Sequence, residues 1–254
     1  MKIRVLGSYG SGGQGQRPSA FLVNDRILVD AGTVGGALSL EEQGRIECAI
    51  LSHAHLDHIV GLVFLTDFLA AMGARKPVIA AGIAPVIDAL RTHCFNDSLW
   101  PDFSRIPSPE APVLSFRTLP VEVESRVNEL WVIPVPVDHT VPTTGFIVHD
   151  GETGFVYSGD TGPTERLWTV ARGLKGIRAI IIETAFPNRL EDTARVSKHL
   201  TPALLRQEME KVPSDLPLWI YHIKPAFLEE TVAELTKIDS SRIHILEQGK
   251  TYTL

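Results

Sequence analysis

The chain has 254 residues, 44% of them hydrophobic, with 30 acids against 24 bases and a formal net charge of −6. That size admits a substantial core, in one large domain or two small ones, and the acidic balance speaks against a long nucleic-acid partner, whose phosphates need a basic surface. No apolar run approaches the roughly 20 residues of a membrane span, the two cysteines, Cys48 and Cys94, make no disulfide framework, and the N-terminus lacks the apolar stretch and cleavage site of a signal peptide, so a cytoplasmic enzyme is the simplest expectation.

In chain order, the first strand is expected at Lys2–Leu6, followed by a glycine-rich loop, Gly7 to Gly15. That loop could bring backbone amides to a phosphate or serve only as a flexible connector; it lacks a P-loop lysine. Strands Ser19–Val23 and Arg26–Val29 are joined by Asn24-Asp25, a good hairpin turn pair. Asp30 then stands at a strand end, where it either braces a metal ligand from behind or simply forms a turn. An apolar run at Cys48–Leu51 reads as a buried strand and leads at once into His53-Ala-His55-Leu-Asp57-His58. The run from Ile59 to Met72 reads as a buried helix with Gly73 as its stop. Three histidines and a carboxylate on one tight loop are donors suited to zinc, manganese or iron. His53 and His55 can face one way while Asp57 and His58 turn toward a second point, which suggests two ions.

Beyond that loop, Pro77–Ala81 reads as a strand and Ile83–His93 as a helix. Residues 94–112 hold prolines and aromatics and read as an ordered loop, where Phe95, Trp100 or Phe103 could stack on a base or cover the core. Val113 to Val156 form a second strand group; within it Leu130–Val137 carries Pro134 and Pro136, which suggest an edge strand or a bulge. Strand Gly154–Tyr157 precedes Ser158-Gly159-Asp160, and helix Pro163–Arg172, strand Ala179–Ile182 and Glu183 come next. A loop then leads to His199, with Thr201 and Pro202 as the opening of helix Ala203–Val212. The last elements are strand Leu218–Tyr221 ending in His222, helix Ala226–Ile238 and a strand near Ile243–Leu246. His53, His139, Asp160, Glu183 and His222 thus each stand at the end of an expected strand, so they can converge although far apart in sequence. The strand-strand-helix order of both halves suggests an αββα sandwich. Residues 1–254 read as one domain without a linker. His93, His149 and His244 read as structural, and both cysteines as buried thiols.

This ordered set resembles the metallo-β-lactamase fold superfamily. Asp30, HAHLDH at 53–58, His139, Asp160 and His222 match its successive metal motifs. The resemblance implies two packed mixed sheets with helices outside. It also implies one ion on His53, His55 and His139, a second on Asp57, His58 and His222, and Asp160 bridging them. A narrower resemblance is to the class II cyclic-nucleotide phosphodiesterases, carried by HAHLDH, FNDSLWPDF at 95–103, SGDTGPTERLW at 158–168, IIIETAFPN at 180–188, HLTPALL at 199–205 and HIKPAF at 222–227. Phe64, Thr66 and Asp67 depart from that family's helix pattern. HLT also resembles a motif of the tRNA 3′-processing endonucleases, but no basic RNA-gripping insertion is present.

The residues and the resemblance together imply a metal-dependent hydrolase of a small phosphodiester, foremost a 3′,5′-cyclic nucleotide. Two divalent ions, zinc expected and manganese or iron as alternatives, lower the pKa of a bridging water toward about 7 and clamp a phosphoryl group, so that a bridging hydroxide attacks phosphorus. His199 is the candidate general acid for the leaving oxygen, Glu183 orients it, and Asp57 completes the catalytic set. The alternatives are another hydrolase on the same site, such as a tRNA-processing endonuclease, a lactonase or a thioesterase, or a non-catalytic metal-binding module. The oligomeric state is open, a homodimer included.

Overall fold

Two sheets stand face to face in a computed structural model that describes residues 1–238 and 241–254. The first holds β1 (Lys2–Gly7), β2 (Ala20–Val23), β3 (Ile27–Ala31), β4 (Cys48–Ile50), β5 (Val78–Gly82) and β6 (Leu114–Thr118), with β14 (Thr251–Thr253) outside β1. The second runs from β7 (Ser125–Val127) through β8 (Leu130–Pro136), β9 (Thr144–His149), β10 (Gly154–Tyr157), β11 (Ile177–Glu183) and β12 (Leu218–Tyr221) to β13 (Ile243–Ile245). Each sheet is antiparallel over its first four strands and parallel from the fourth onward, β3 to β6 in one and β10 to β13 in the other. The β2–β3 turn places Asn24 at φ 48° and Asp25 at φ 60°, the two left-handed positions of a type I′ hairpin.

The inner parallel strands, β3 to β5 and β10 to β12, are largely buried on both faces, and their sequences are accordingly near-continuous apolar runs rather than alternating ones. Between the sheets lie Phe21, Val29, Ile50, Phe146, Tyr157, Ile181 and Tyr221. Outside the first sheet packs α2 (Leu56–Ala71), and outside the second pack α4 (Arg166–Arg172), α6 (Pro202–Met209) and α7 (Leu228–Leu235). Each large apolar side chain so buried stabilises the fold by about 1.5–3 kcal/mol. The αββα sandwich expected from the element order is the observed architecture. Among the described residues no helix is long and apolar enough to cross a membrane.

Several expectations shift. Helix α2 begins at Leu56 rather than Ile59, with His55 as its N-cap, so Asp57 and His58 lie in its first turn and not on a loop. Its close seat on the first sheet depends on Gly61, where a Cβ would meet the Ala31 carbonyl at 2.6 Å and the Val34 amide at 2.8 Å. The expected helix at 83–93 divides into α3 (Ala84–Ala89) and a π turn, Leu90–Cys94. Helix α4 starts three residues later than Pro163, and α7 is preceded by a 3-10 turn, Pro225–Phe227. Thr201 caps α6 as expected, accepting from the Leu204 amide at 3.3 Å. Three elements carried too little pattern to be read. Helix α1 (Leu40–Gln43) is a single turn held by a Ser39–Glu42 capping box. Helix α5 (Glu191–Ser197) buries only Ala194 and is supported by the Glu191–Arg195 pair. Strand β14 is three residues long. Pro134 and Pro136 make no bulge against β9, with which β8 pairs in unbroken register. They lie beyond Val132, where pairing with the edge strand β7 stops, so no ladder there requires their missing N–H.

Candidate metal centre

The strand ends of both sheets open onto one cluster of donors. From the first sheet, β4 feeds His53 and His55, and the first turn of α2 supplies Asp57 and His58. From the second sheet, His139 follows β8, Asp160 follows β10 and His222 follows β12. Ligand atoms of His53, His55 and His139 lie within 4.8 Å of one another, as do those of Asp57, His58 and His222. Asp160 stands between the two groups, its Oδ2 at 3.8 Å from His53 Nε2, 3.2 Å from His58 Nε2 and 3.1 Å from His222 Nε2. All seven residues singled out as ligands are therefore brought together.

Four of the histidines are held by their Nδ1 atoms. His53 Nδ1 meets Ser52 Oγ at 3.0 Å, His58 Nδ1 meets Asp30 Oδ2 at 2.7 Å, His222 Nδ1 meets Ser19 Oγ at 3.1 Å and His139 Nδ1 meets the Lys198 carbonyl at 3.1 Å. Such contacts fix ring orientation and tautomer and leave Nε2 as the donor. His55 differs: its Nδ1 faces His139 Nε2 at 3.3 Å. Asp30 is the hub behind the cluster. Fully buried at φ 53°, it accepts the Ser52 amide and hydroxyl, each at 2.7 Å, His58 Nδ1, and the Tyr157 hydroxyl at 2.6 Å. Of its two readings, the brace is the observed one. His222 also sits at positive φ, 67°, and a left-handed non-glycine residue costs on the order of 1–3 kcal/mol, which the packing around the site must hold in place.

The donor set fits divalent metal ions. His53 Nε2, His58 Nε2 and Asp160 Oδ1 are buried and make no hydrogen bond, a cost that a bound cation would remove. Burial holds His53 and His222 well below the ordinary imidazole pKa, so both stay neutral and able to donate a lone pair. Burial also opposes charge on His58, but Asp160 and Asp30 outweigh it and raise its pKa well above the usual value. Two buried carboxylates around one imidazole demand a cation there, a proton or a metal. The nitrogen and oxygen donors suit zinc, manganese or iron.

Beside the cluster stands a histidine–carboxylate pair. Glu183, the last residue of β11, is fully buried and accepts His199 Nδ1 at 2.7 Å, the Thr161 amide at 3.0 Å and the Leu200 amide at 3.3 Å. Burial disfavours charge on His199, but Glu183 outweighs it and lifts its pKa above the ordinary value. A ring nitrogen of His199 lies within 4.8 Å of His139 and Asp160 ligand atoms.

Sequence reasoning missed Ser19, Ser52 and Lys224 as site residues. Ser52 stands immediately before the histidine run, and Lys224 two residues past His222. The Lys224 ammonium donates to the Gly10 carbonyl and lies 3.4 Å from His222 Nε2 and 3.9 Å from Asp57 Oδ2. The glycine-rich loop therefore lines the site at one point. A Cβ on Gly10 would meet the His222 carbonyl at 2.5 Å, whereas Gly12 and Gly15 face open space. Phe95 and Phe103 are buried, 2% and 4% exposed, and Trp100 packs against Phe64 at 5.7 Å, so this loop covers the core instead of offering a base a ring. Cys48 and Cys94 are buried away from the cluster, burial pushing the Cys48 thiol up to about 12.

A model of the beta-lactamase superfamily domain matches residues 25–242. The 3′,5′-cyclic-nucleotide phosphodiesterase of Aliivibrio fischeri is 30% identical over 272 aligned positions, covering 87% of this chain and 80% of that protein. The chain belongs to the beta-lactamase superfamily, among the relatives of the cyclic-nucleotide phosphodiesterases. The probable 3′,5′-cyclic-nucleotide phosphodiesterase of Yersinia pestis is also 30% identical, over 210 positions, covering 72% of this chain but only 58% of that longer protein. Unliganded yeast PDE1 has the same fold, with a TM-score of 0.83 at 21% identity over 100% of this chain and 99% of that one.

Proposed function

We propose that this superfamily member is a binuclear metal-dependent phosphodiesterase that hydrolyses a small phosphodiester, a 3′,5′-cyclic nucleotide foremost. The observation that carries the reading is the convergence of seven donors, with three buried ligand atoms that make no hydrogen bond. The names of the relatives and the acidic surface balance support the choice of a small cyclic nucleotide over a long RNA.

His53, His55 and His139 would hold one ion, Asp57, His58 and His222 the other, and Asp160 would bridge them. Two divalent ions, zinc by expectation, would supply a water whose pKa falls toward about 7 and a positive clamp for phosphoryl oxygens. The remaining work falls to the chain itself. Asp30, Ser19 and Ser52 fix the imidazoles in the donating orientation. Glu183 holds His199 by Nδ1, which leaves the other nitrogen to carry a proton to the leaving ribose oxygen. Lys224 places a fixed positive charge at the rim on the His222 side, suited to a phosphodiester anion.

One preparation decides the matter when its metal content and its turnover of cyclic AMP, cyclic GMP, a tRNA precursor and an acyl ester are measured together. Two equivalents of metal with cyclic-nucleotide hydrolysis are expected. No more than one equivalent under saturating zinc and manganese, or salt-sensitive trimming of tRNA with cyclic nucleotides untouched, would refute the proposal.

A further inference from the structure

We propose that Phe186 is the platform on which the substrate's nucleobase stacks; this rests on the phosphodiesterase reading and assigns the part of the site that recognises the base. A cyclic nucleotide has two ends of different chemistry. Its phosphate suits the ions and Lys224, and its base needs a flat apolar surface at the same rim. In the 94–112 segment Phe95 and Phe103 are buried, and the half-buried Trp100 is packed on the core with Phe64 at 5.7 Å from its ring.

A run of rings leads outward from the metal cluster on the side of the proton donor. The His199 ring lies 5.1 Å from that of His139 and stacks at 5.3 Å and 22° on His222. Its next neighbour is Phe186, at 5.8 Å with the planes at 66°, so the two rings form a corner rather than a closed stack. Phe186 is half-buried, while His199 is only 6% exposed. Behind it stands Phe227 at 6.1 Å, whose ring carries the Arg189 guanidinium at 5.4 Å.

The platform is also rigid. The amides of Ala185 and Phe186 both donate to the Leu200 carbonyl, at 3.0 and 3.4 Å, and the Lys224 amide donates to the Ala185 carbonyl at 3.0 Å. Phe186 is thus pinned between the segment that bears His199 and the segment that bears His222 and Lys224. Pro187 comes after it and restricts its backbone to extended conformations. A ring carried on a backbone fixed in this way needs little further ordering when a ligand lands on it.

The test is a binding measurement on the metal-loaded protein, with 5′-AMP and ribose 5-phosphate as paired probes that differ only in the base. The wild-type protein is expected to prefer 5′-AMP by roughly 5- to 150-fold, the range of one base stacked on one aromatic ring. Phe186→Ala should bring that preference close to unity, leaving ribose 5-phosphate affinity and metal content unchanged in a protein that still folds, and Phe186→Trp should keep it. Equal affinities in the wild type, the absence of binding by both probes included, overturn the inference, and so does a preference that survives Phe186→Ala. Turnover of cyclic AMP by the wild type separates the two levels. Turnover without a base preference removes the platform alone; a preference lost in Phe186→Ala without turnover keeps the platform and removes the phosphodiesterase reading.

Discussion

The two sheets have the same strand plan but contribute to the site in different ways. The first delivers its donors as one continuous stretch, His53 to His58, spanning the end of β4 and the first turn of α2. The second delivers His139, Asp160, Glu183 and His222 singly, from the ends of four different strands, and His199 from the loop before α6. The first set is braced from within its own sheet, since Asp30 on β3 holds both Ser52 and His58. The second set holds the residues proposed for the bridging position and for the proton-donor pair. On the proposed reading this is a division of labour, in which the first sheet supplies two ligands to each ion and the second completes each set and joins the ions to the chemistry. Substitutions placed on either side should then fail in distinguishable ways.

The largest effect is expected at Asp160, the residue placed between both donor groups. Asp160→Ala should lose metal from both positions and reduce turnover by more than the roughly 10²–10⁴-fold attached to a lost general acid. Elemental analysis beside a turnover assay checks it. Normal occupancy with normal turnover would break the comparison at its centre, because the second sheet would then not connect the two groups.

Next comes His199. His199→Ala is expected to keep both metals and lose roughly 10²–10⁴-fold in kcat on a ribose leaving group, and much less on a nitrophenolate, which leaves without a proton. A metal ligand would behave otherwise: its loss should hurt both substrates alike and lower metal content. The pair also predicts a pH effect. An acid must be protonated to act, so activity should fall as pH rises through the His199 pKa, which Glu183 lifts above the ordinary value. Glu183→Gln removes that charge, and the alkaline limb of the rate profile should move to lower pH. An unmoved limb would sever Glu183 from the acid role.

Legibility in the sequence divides along the same line. The first set was plain because ligand spacing within one short stretch is a local pattern, and the apolar runs on either side marked its strand and helix, although the helix begins at Leu56 and takes in Asp57 and His58. The second set was legible only as repetition: a polar residue closing an apolar run, several times over. Braces were the hardest. Ser19 and Ser52 act through hydroxyls that any loop serine carries, and only the fold shows that they meet imidazole nitrogens. Phe95 and Phe103 were ambiguous because stacking and core burial draw on the same residue type. Helix α5 left no apolar stripe, since its support comes from a surface charge pair.

Within the first sheet, Asp30→Asn tests the brace. Asn replaces one carboxylate oxygen by a donor, so it cannot accept from the Ser52 amide on one side and from the Ser52 hydroxyl, His58 Nδ1 and the Tyr157 hydroxyl on the other. Metal affinity should fall by roughly 10–100-fold, the usual penalty for losing a partner behind a ligand. Chelator competition measures it, read at each ion separately. A loss of similar degree at the second ion, through His58, and at the first, on His53 through Ser52, would show that one carboxylate orders the whole first-sheet set. Unchanged affinity would mean that backbone geometry alone orients these imidazoles.

The smallest effect separates the stability of the first sheet from its metal binding. Glu42 lies in α1, where its side chain accepts from the Ser39 amide at 2.8 Å and from Arg4 of β1 at 2.6 Å. The Arg4 hydrogen bond, with the Ser39 amide next, holds its carboxyl down to about 2, against 4.5 when unfolded. A carboxylate lowered in this way stabilises the folded state fully above its unfolded value and loses that contribution as pH falls from about 4.5 toward 2. The pair is partly exposed, at 22% and 34%, so screening keeps its worth below about 1 kcal/mol. Glu42→Gln should therefore flatten the acid side of the melting-temperature profile slightly and leave metal content and turnover untouched at neutral pH. A change in metal affinity would mean that strain in β1 and α1 reaches the histidine loop, and the effect of Asp30→Asn could then no longer be assigned to the brace alone.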